Sequence, residues 1–258
     1  MAIHIGEKQL KILEPYVFEN YVTELVEHWN SEYPHLKQKM GPKKLREILR
    51  EGALKAKDDG FDQRGPTRFY VEMMVLFGSG FMTDPQYPWI LESLAQDAEL
   101  LQLQRADRLF YKVDNYLKNI AGENKKHEME AKAYLGRFDA SQTRISSTGM
   151  EEQLFDLLKN IHSGRAEHDD ENGLKALIDN SLKKAQDQYD YTEPMPQALF
   201  VLLAYLYGHE FDEDPFLSFE LPKGSPQSAA TQQLENLIRQ WANTKFNDNT
   251  MNETPKET

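Results

Sequence analysis

The sequence contains no cysteine among its 258 residues. This absence excludes disulfide scaffolds, thiolate zinc sites, iron–sulfur clusters and cysteine nucleophiles. Positive charge is also scarce, because 30 Lys and Arg stand against 42 Asp and Glu, for a formal net charge of −12. A chain this acidic repels phosphate backbones, so we expect no nucleic-acid partner.

Long apolar runs are absent as well. No stretch of 18 apolar residues occurs, so the sequence predicts no transmembrane helix and no membrane partner. The first residues, MAIHIGEKQLKIL, lack a continuous apolar core and a small-residue cleavage site, so we expect no signal peptide. These features favour a cytoplasmic location.

Proline and glycine punctuate a series of helical patterns. Apolar residues recur at spacings of three and four, and no convincing alternating strand is found, which predicts an all-α helical bundle. Pro15 is predicted to open the first helix, and Ser225 to cap the last one. The predicted organisation is an N-terminal helical half at 1–122, a connector at 123–148, a C-terminal helical half at 149–246 and a disordered tail at 247–258.

An internal repeat is the most specific feature of the sequence. Phe69–Pro85 aligns with Leu199–Pro215, and Leu54–Asp62 aligns with Leu182–Asp190, which places Phe61 opposite Tyr189. Ten of the 26 aligned positions are identical, where average composition gives about one or two. We interpret this as an internal duplication that produces two related halves packed together.

The repeat contains a G-x-x-F-x-x-D-P motif, which we interpret as a corner between two helices. Glycine can take the positive φ that closes a helix, and phenylalanine can fold back onto the last turn of that helix. Aspartate is predicted to cap the following helix, with proline at its first position. The corner residues are Gly78, Phe81, Asp84 and Pro85 in the first copy and Gly208, Phe211, Asp214 and Pro215 in the second.

Recognisable catalytic and cofactor motifs are missing. The sequence has no GxxxxGK[ST] phosphate loop and no GxSxG elbow, and Ala131 replaces the second histidine of an HExxH pattern. The acidic run from His209 to Asp214 lacks the glycine and glutamate of an EF-hand. We therefore expect no catalytic residue, no cofactor and no metal site.

Charge is distributed unevenly. Between Lys184 and Lys223 there are eight acids and no Lys or Arg, together with eight aromatic residues. One interpretation is a buried aromatic helix with solvated acidic ends; the other is an acidic, aromatic-rich surface for a basic partner. The second interpretation makes partner-binding candidates of Tyr87, Trp89, Asp187, Asp190, Glu193, Glu210, Asp212 and Glu213.

The segment Phe77–Trp89, FGSGFMTDPQYPW, resembles a stretch in helical bacterial proteins associated with type VI secretion and polymorphic-toxin gene neighbourhoods. The resemblance covers about 20 residues of the chain. It implies a cytoplasmic accessory role as an adaptor, chaperone or immunity protein, and it carries over no catalytic residue. In the second copy Phe216-Leu-Ser-Phe219 replaces Gln-Tyr-Pro-Trp, so any role of Tyr87 and Trp89 belongs to the first copy alone.

Three functional hypotheses follow. The leading one is a non-enzymatic bacterial interaction protein, an adaptor, chaperone or immunity-type partner of a basic secreted effector or toxin. The second is a hydrolase or metal-dependent enzyme whose site is assembled from dispersed acids. The third is a structural homodimer that associates through exposed aromatics around Trp89.

Overall fold

The computed structural model describes residues 7–217, 219–224 and 226–243, and of residues 7–12 only the backbone. All regular elements in this part of the chain are helical, which confirms the all-α prediction. A 3₁₀ turn at Glu123–Lys125 lies between α6 and α7. The helices are α1 Glu7–Glu32, α2 Pro34–Met40, α3 Pro42–Asp58, α4 Arg64–Phe77, α5 Pro88–Gln96, α6 Gln102–Ala121, α7 Lys126–Gly136, α8 Met150–Ile161, α9 Ser163–His168, α10 Glu171–Tyr189, α11 Pro194–Tyr207 and α12 Gln227–Asn243.

Two sequence predictions concern residues that lie outside the described part of the chain: the Ser225 cap and the tail at 247–258. The predicted start of the first helix at Pro15 is wrong, because α1 begins at Glu7 and runs through Pro15. Within the described ranges, no helix combines the length and the apolar character needed to cross a bilayer.

The chain divides into two compact units, Met1–Met74 and Val75–Thr258, and the boundary falls within α4. The predicted connector at 123–148 is not only a linker, because it contains α7 with Ala131 and Leu135 fully buried. The predicted halves at 1–122 and 149–246 stay a prediction.

In the first unit, α1 and α2 pack against α3. The core is formed where the apolar stripe of α1 meets that of α3, and Trp29, Leu45 and Leu49 have no exposed surface there. Gly52 of α3 allows a close approach of α4, since an added Cβ would lie 3.2 Å from Val71 Cγ2 and 3.2 Å from Met74 Sδ.

The second unit is organised around α11. This helix is buried on all sides from Ala198 to Tyr205, because α8, α10 and α12 pack around it. A helix that is apolar all round is stable only in such a position. The aromatic residues of the acidic stretch therefore belong mostly to the core, which confirms the buried aromatic helix of the first interpretation; the role of the acids stays a prediction.

The repeated segments have the same local structure. Helices α4 and α11 both contain 14 residues and are offset by 130 positions. The next residues, Gly78 and Gly208, have φ of 91° and 100°, which confirms the predicted positive φ. In both corners the phenylalanine N–H donates to the glycine carbonyl at 3.1 Å, Phe81 to Gly78 and Phe211 to Gly208.

The likeness extends upstream of the two helices. Thr67 Oγ1 donates to the Phe61 carbonyl at 2.8 Å, and Gln197 Nε2 donates to the Tyr191 carbonyl at 2.7 Å. These matching hydrogen bonds place Phe61 and Tyr191 at equivalent positions of the two segments. The predicted alignment of Phe61 with Tyr189 is therefore wrong. Duplication as the origin of this likeness stays a prediction.

The two phenylalanines of the corners are buried. Phe81 is 2% exposed and Phe211 is 1% exposed. The Phe211 ring centroid lies 4.9 Å from that of Phe200. Phe211 thus folds back along α11 as predicted, but it reaches about two turns from the helix end rather than the last turn.

The predicted capping role of the corner aspartates is wrong. After Asp84 and Pro85 the next helix, α5, begins only at Pro88, and no side chain caps it. After Asp214 and Pro215 the chain forms turns up to Leu217, without a helix start. Both carboxylates are instead directed into the opposite corner.

This arrangement is reciprocal, and we call it the corner junction. Asp84 Oδ2 accepts the His209 N–H at 2.9 Å, and Asp214 Oδ2 accepts the Ser79 N–H at 2.7 Å. The second oxygen of each carboxylate accepts the N–H two residues ahead, from Gln86 at 2.9 Å and from Phe216 at 2.8 Å. Each buried carboxylate therefore satisfies backbone donors of both corners.

Glycine is required at the junction because the two backbones touch there. An added Cβ on Gly78 would lie 2.5 Å from the Tyr207 carbonyl oxygen, and one on Gly208 would lie 2.6 Å from the Phe77 carbonyl oxygen. Neither backbone can give way, since each carbonyl is the end of a packed helix.

We predict that Gly78→Ala lowers the free energy of unfolding by about 2 kcal/mol or more, because the positive φ and the carbonyl contact act together. Urea denaturation followed by circular dichroism measures this loss. Gly136→Ala is the matched control, since its Cβ would meet only Ala242 Cβ at 3.9 Å. Equal midpoints for the two variants would contradict the close backbone contact.

We also predict that Asp84→Ala destabilises by about 2–4 kcal/mol, because the buried N–H of Gln86 and the partly buried N–H of His209 lose their acceptor. Loss of an ordinary helix cap costs only about 1 kcal/mol. Asp84→Ala and Asp214→Ala remove halves of one junction, so the double variant should cost less than the sum of the singles. Additive losses in chemical denaturation would show two independent turns instead.

Candidate functional site

Tyr87 and Trp89, the candidates of the first copy, belong to an internal aromatic cluster. The Tyr87 ring is 7% exposed and lies 4.8 Å from the Phe77 centroid. Trp89 is half-buried, with its centroid 5.3 Å from that of Tyr116. Burial raises the pKa of the Tyr87 hydroxyl well above its ordinary value. These aromatics stabilise the packing of α5 and α6, and Tyr87 offers a partner almost no surface.

The acidic candidates separate into exposed and buried groups. Asp187, Asp190, Glu193 and Glu213 are exposed, and we call these four residues the acidic edge. They lie in the last turn of α10, in the α10–α11 turn and in the second corner. In the described part of the chain, Asp187, Asp190 and Glu193 form no ion pair.

Asp212 is buried, which corrects the expectation of a loop-surface acid. Its side chain has no exposed surface and binds Lys184 Nζ at 2.7 Å. The Tyr189 hydroxyl donates to its other oxygen at 2.8 Å. Burial and this carboxylate together raise the Tyr189 pKa. Asp212 thus holds the second corner against α10 and brings Glu213 into the same region as the α10–α11 turn.

Lys184 is a cation beside the acidic edge. Its charge is already bound to Asp212, and Glu213 lies 3.9 Å away on its other side. Lys223 stacks on the Tyr189 ring at 4.9 Å instead of pairing with an acid. The acidic edge therefore keeps most of its negative charge.

The α10–α11 turn is held by the first residue of α12. Gln227 Oε1 accepts the N–H groups of Thr192 at 3.0 Å and Glu193 at 3.3 Å, and Gln227 Nε2 donates to the Asp190 carbonyl at 3.1 Å. Asp190 itself has a φ of 56°, a conformation that aspartate tolerates better than most residues. This clamp fixes the backbone that carries two acids of the edge.

Glu210 belongs to the corner junction rather than to the edge. Its carboxylate lies 3.6 Å from His209 Nε2, and it covers Gly80. His209 Nδ1 is buried and lies 3.4 Å from Asp84 Oδ2. The Thr83 hydroxyl is 3.2 Å from the Nε2 atom. The histidine is thus surrounded by acceptors from both corners.

A buried network of polar side chains, which the sequence did not indicate, supports the junction from the side of α9. Arg165 on α9 is 7% exposed, stacks 3.8 Å from the Tyr205 centroid and binds Gln86 Oε1 at 2.7 Å. Its Nε binds Asp169 at 2.8 Å. Although burial disfavours the charge, Asp169 outweighs it, and the Arg165 pKa lies above its ordinary value. Only Asp169 is a near neighbour in sequence, whereas the Tyr205 carbonyl and the Gln86 side chain lie 40 and 79 residues away, so local pattern does not mark this arginine as a hub.

One serine–histidine pair has a distance relevant to catalysis. Ser163 Oγ lies 2.6 Å from His127 Nδ1. A nucleophile of this type also needs an acid on the other ring nitrogen. Glu130 lies 3.8 Å from the same Nδ1 atom, and Nε2 faces Gly122. The pair therefore does not form a triad.

The dispersed acids do not converge on a metal site in the described ranges. Within them, no group of three or more His, Asp or Glu side chains could hold a metal ion. The expected metal-free character of the residues around His209 stays a prediction.

We predict a pH dependence from His162, the N-cap of α9. Burial lowers its pKa to about 4, and its Nδ1 accepts the Arg165 N–H at 3.3 Å. The pKa of His162 in the folded protein lies below the unfolded value of about 6.5. Its contribution to the free energy of unfolding is therefore fully present above pH 6.5 and is lost as the pH drops towards 4. The loss amounts to about 3 kcal/mol.

His162→Asn should remove this loss, since asparagine can accept the same N–H without titrating. Unfolding free energies at pH 7, 5.5 and 4.5 measure the difference between the two proteins. His168→Asn is the control, because that side chain is exposed. Parallel pH curves for wild type and His162→Asn would contradict a buried neutral histidine.

Comparisons with known proteins found no match to a family model, to a curated protein or to a solved structure. The resemblance of Phe77–Trp89 to secretion-associated helical proteins therefore stays an expectation.

Proposed function

We propose that the chain is a non-enzymatic interaction protein that binds a basic protein partner through the acidic edge. The observation that carries this proposal is the exposure of four carboxylates around the α10–α11 turn and the second corner, beside a lysine, Lys184, that is already bound to Asp212. The proposed type is an adaptor, chaperone or immunity protein of a basic secreted effector or toxin in the bacterial cytoplasm.

Electrostatics supports a role in association. Carboxylates of one sign on a rigid backbone create a field that accelerates encounter with a positive surface. The Gln227 clamp and the Asp212 contacts supply that rigidity. Salt at 0.15 M screens such a field over about 8 Å, so association should weaken as ionic strength rises.

The aromatic residues of the acidic stretch do not contribute to a partner surface. Six of them are core residues that are each at most 5% exposed: Tyr189, Tyr191, Phe200, Tyr205, Phe211 and Phe216. They cannot contact a partner without unfolding, so the proposal rests on charge.

Self-association is a second candidate function, but its surface differs from the one predicted around Trp89. Leu101 and Leu103 at the start of α6 are 72% and 52% exposed, and Tyr111 on the same helix is 66% exposed. Exposed apolar residues of this size can form a contact between copies. Light scattering across a concentration series separates this candidate from the first, because a constant monomer mass removes it.

We predict that reversing three edge acids, Asp187→Lys, Glu193→Lys and Glu213→Lys, abolishes capture of a basic partner. Affinity capture from a lysate of the source organism at 50 and 300 mM salt, read by mass spectrometry, identifies proteins that are lost. The binary rate constant is then measured with the purified partner. We expect association at least tenfold slower than wild type at low salt.

The matched control reverses the exposed acids Glu92, Glu99 and Asp107, which changes the net charge by the same amount elsewhere in the second unit. This control should keep wild-type binding. If both triple variants bind alike, net charge alone matters and the acidic edge is only a solvated face. Thermal melts of both variants verify that the fold is intact.

A further inference from the structure

A cleft of about 380 Å³ lies between α12 and the segment at 139–141. It is separate from the acidic edge, because none of the four edge acids lines it. Its volume lies within the range of small-ligand sites, about 300–1,000 Å³. Its lining is polar throughout apart from Ala140.

One wall of the cleft is a single face of α12. Ser228, Gln232, Glu235 and Arg239 line it at spacings of three and four, which places them on one side of the helix. Arg239 Nε and Nη2 both donate to the Phe138 carbonyl, at 3.0 and 2.9 Å. The guanidinium thereby fixes the opposite wall, so the cleft is formed before any ligand enters.

The second wall carries a fixed carboxylate. Asp139 Oδ1 accepts the hydroxyl of Ser141 at 2.6 Å and its N–H at 2.9 Å, and Oδ2 accepts Gln142 Nε2 at 2.9 Å. The hydrogen bonds from Ser141 lower the pKa of Asp139, so it is an anion at neutral pH. It contributes negative charge and hydrogen-bond acceptors to the cleft.

Negative charge is in excess inside the cleft. Two carboxylates, Asp139 and Glu235, face one cation, Arg239, whose guanidinium is committed to Phe138 and Glu235. The Glu235 side chain is only 9% exposed. A buried carboxylate with one oxygen on arginine has a further oxygen that can accept hydrogen bonds. The cleft therefore favours a cation with several N–H donors and disfavours anions.

Arginine matches these acceptors better than lysine does. Its planar guanidinium offers five N–H donors in a fixed fork and loses less hydration on burial than an ammonium group. Glu235, Asp139 and the Gln232 amide oxygen are acceptors from both walls. The volume also leaves room for the backbone next to such a side chain.

The start of α12 connects the cleft to the backbone of the acidic edge. Gln227, which clamps the Thr192–Glu193 backbone, directly precedes Ser228 of the cleft. From Gln227 to Glu235 the helix rises about 12 Å, at 1.5 Å per residue. About four residues of extended peptide cover the same distance.

We propose that this cleft binds an arginine side chain of a basic peptide segment, with a second basic residue about four positions away on the acidic edge. This inference rests on the proposed function and specifies the chemistry of the partner. It predicts a partner segment that presents two cations in extended conformation, not a diffuse positive surface.

The test uses three fluorescein-labelled peptides and anisotropy at 50 mM salt. The first is Arg-Ser-Gly-Ser-Arg, the second has lysine in place of both arginines, and the third has citrulline, which keeps the shape without the charge. We expect the arginine peptide to bind at least tenfold more tightly than the citrulline peptide, and the lysine peptide to lie between them. Equal affinities for the arginine and citrulline peptides would overturn the proposal in favour of a neutral polar subsite.

Gln232→Lys is the decisive variant, because it adds a cation to the cleft without removing the Arg239 contacts. It should weaken arginine-peptide binding at least fivefold, whereas Ala229→Lys, outside the cleft lining, should not. Unchanged binding by Gln232→Lys would overturn the cleft proposal even if the edge variant fails to capture a partner. Loss with Gln232→Lys supports the cleft even if the edge variant captures its partner normally, so the two proposals can fail separately.

Discussion

The reciprocal contact of the two corners is the interaction on which the second unit depends. Asp84 and Asp214 each bind a backbone N–H of the opposite corner, and Gly78 and Gly208 let the two helix ends touch. Carboxylate and glycine are both necessary, because the carboxylate reaches its donors only where no Cβ keeps the backbones apart. The Gln86–Arg165–Asp169 chain then joins this contact to α9.

The same stretch of sequence serves the interior and the surface. Asp212 is used inside the protein, where it binds Lys184 and Tyr189, while Glu213 beside it faces water. A stretch of sequence whose charges are all negative therefore does not place all of those charges on the surface. The part that reaches solvent is smaller than the run, but it is placed on a backbone that Gln227 holds rigidly, and this favours recognition over general solvation.

Sequence patterns predicted the elements that depend on near neighbours. Helical spacing and proline breaks predicted the all-α class, and the repeat located Gly78 and Gly208 as positions of positive φ. The role of Asp84 was predicted wrongly, because a capping aspartate and an aspartate that bridges to His209 look alike in sequence. Local pattern also could not show that Tyr87 and Asp212 are buried, or that Asp139 and Glu235, almost 100 residues apart, line one cleft.

The position of α11 has a consequence for biosynthesis. This helix is buried on all sides, yet one of the helices that covers it, α12, is made about 20 residues later. Until α12 has left the ribosome, residues such as Leu202 and Leu203 have an incomplete cover, and the nascent second unit presents an apolar surface. Completion of the unit therefore coincides with the synthesis of its last described helix, and a chain interrupted before Gln227 would be prone to aggregation rather than merely less active.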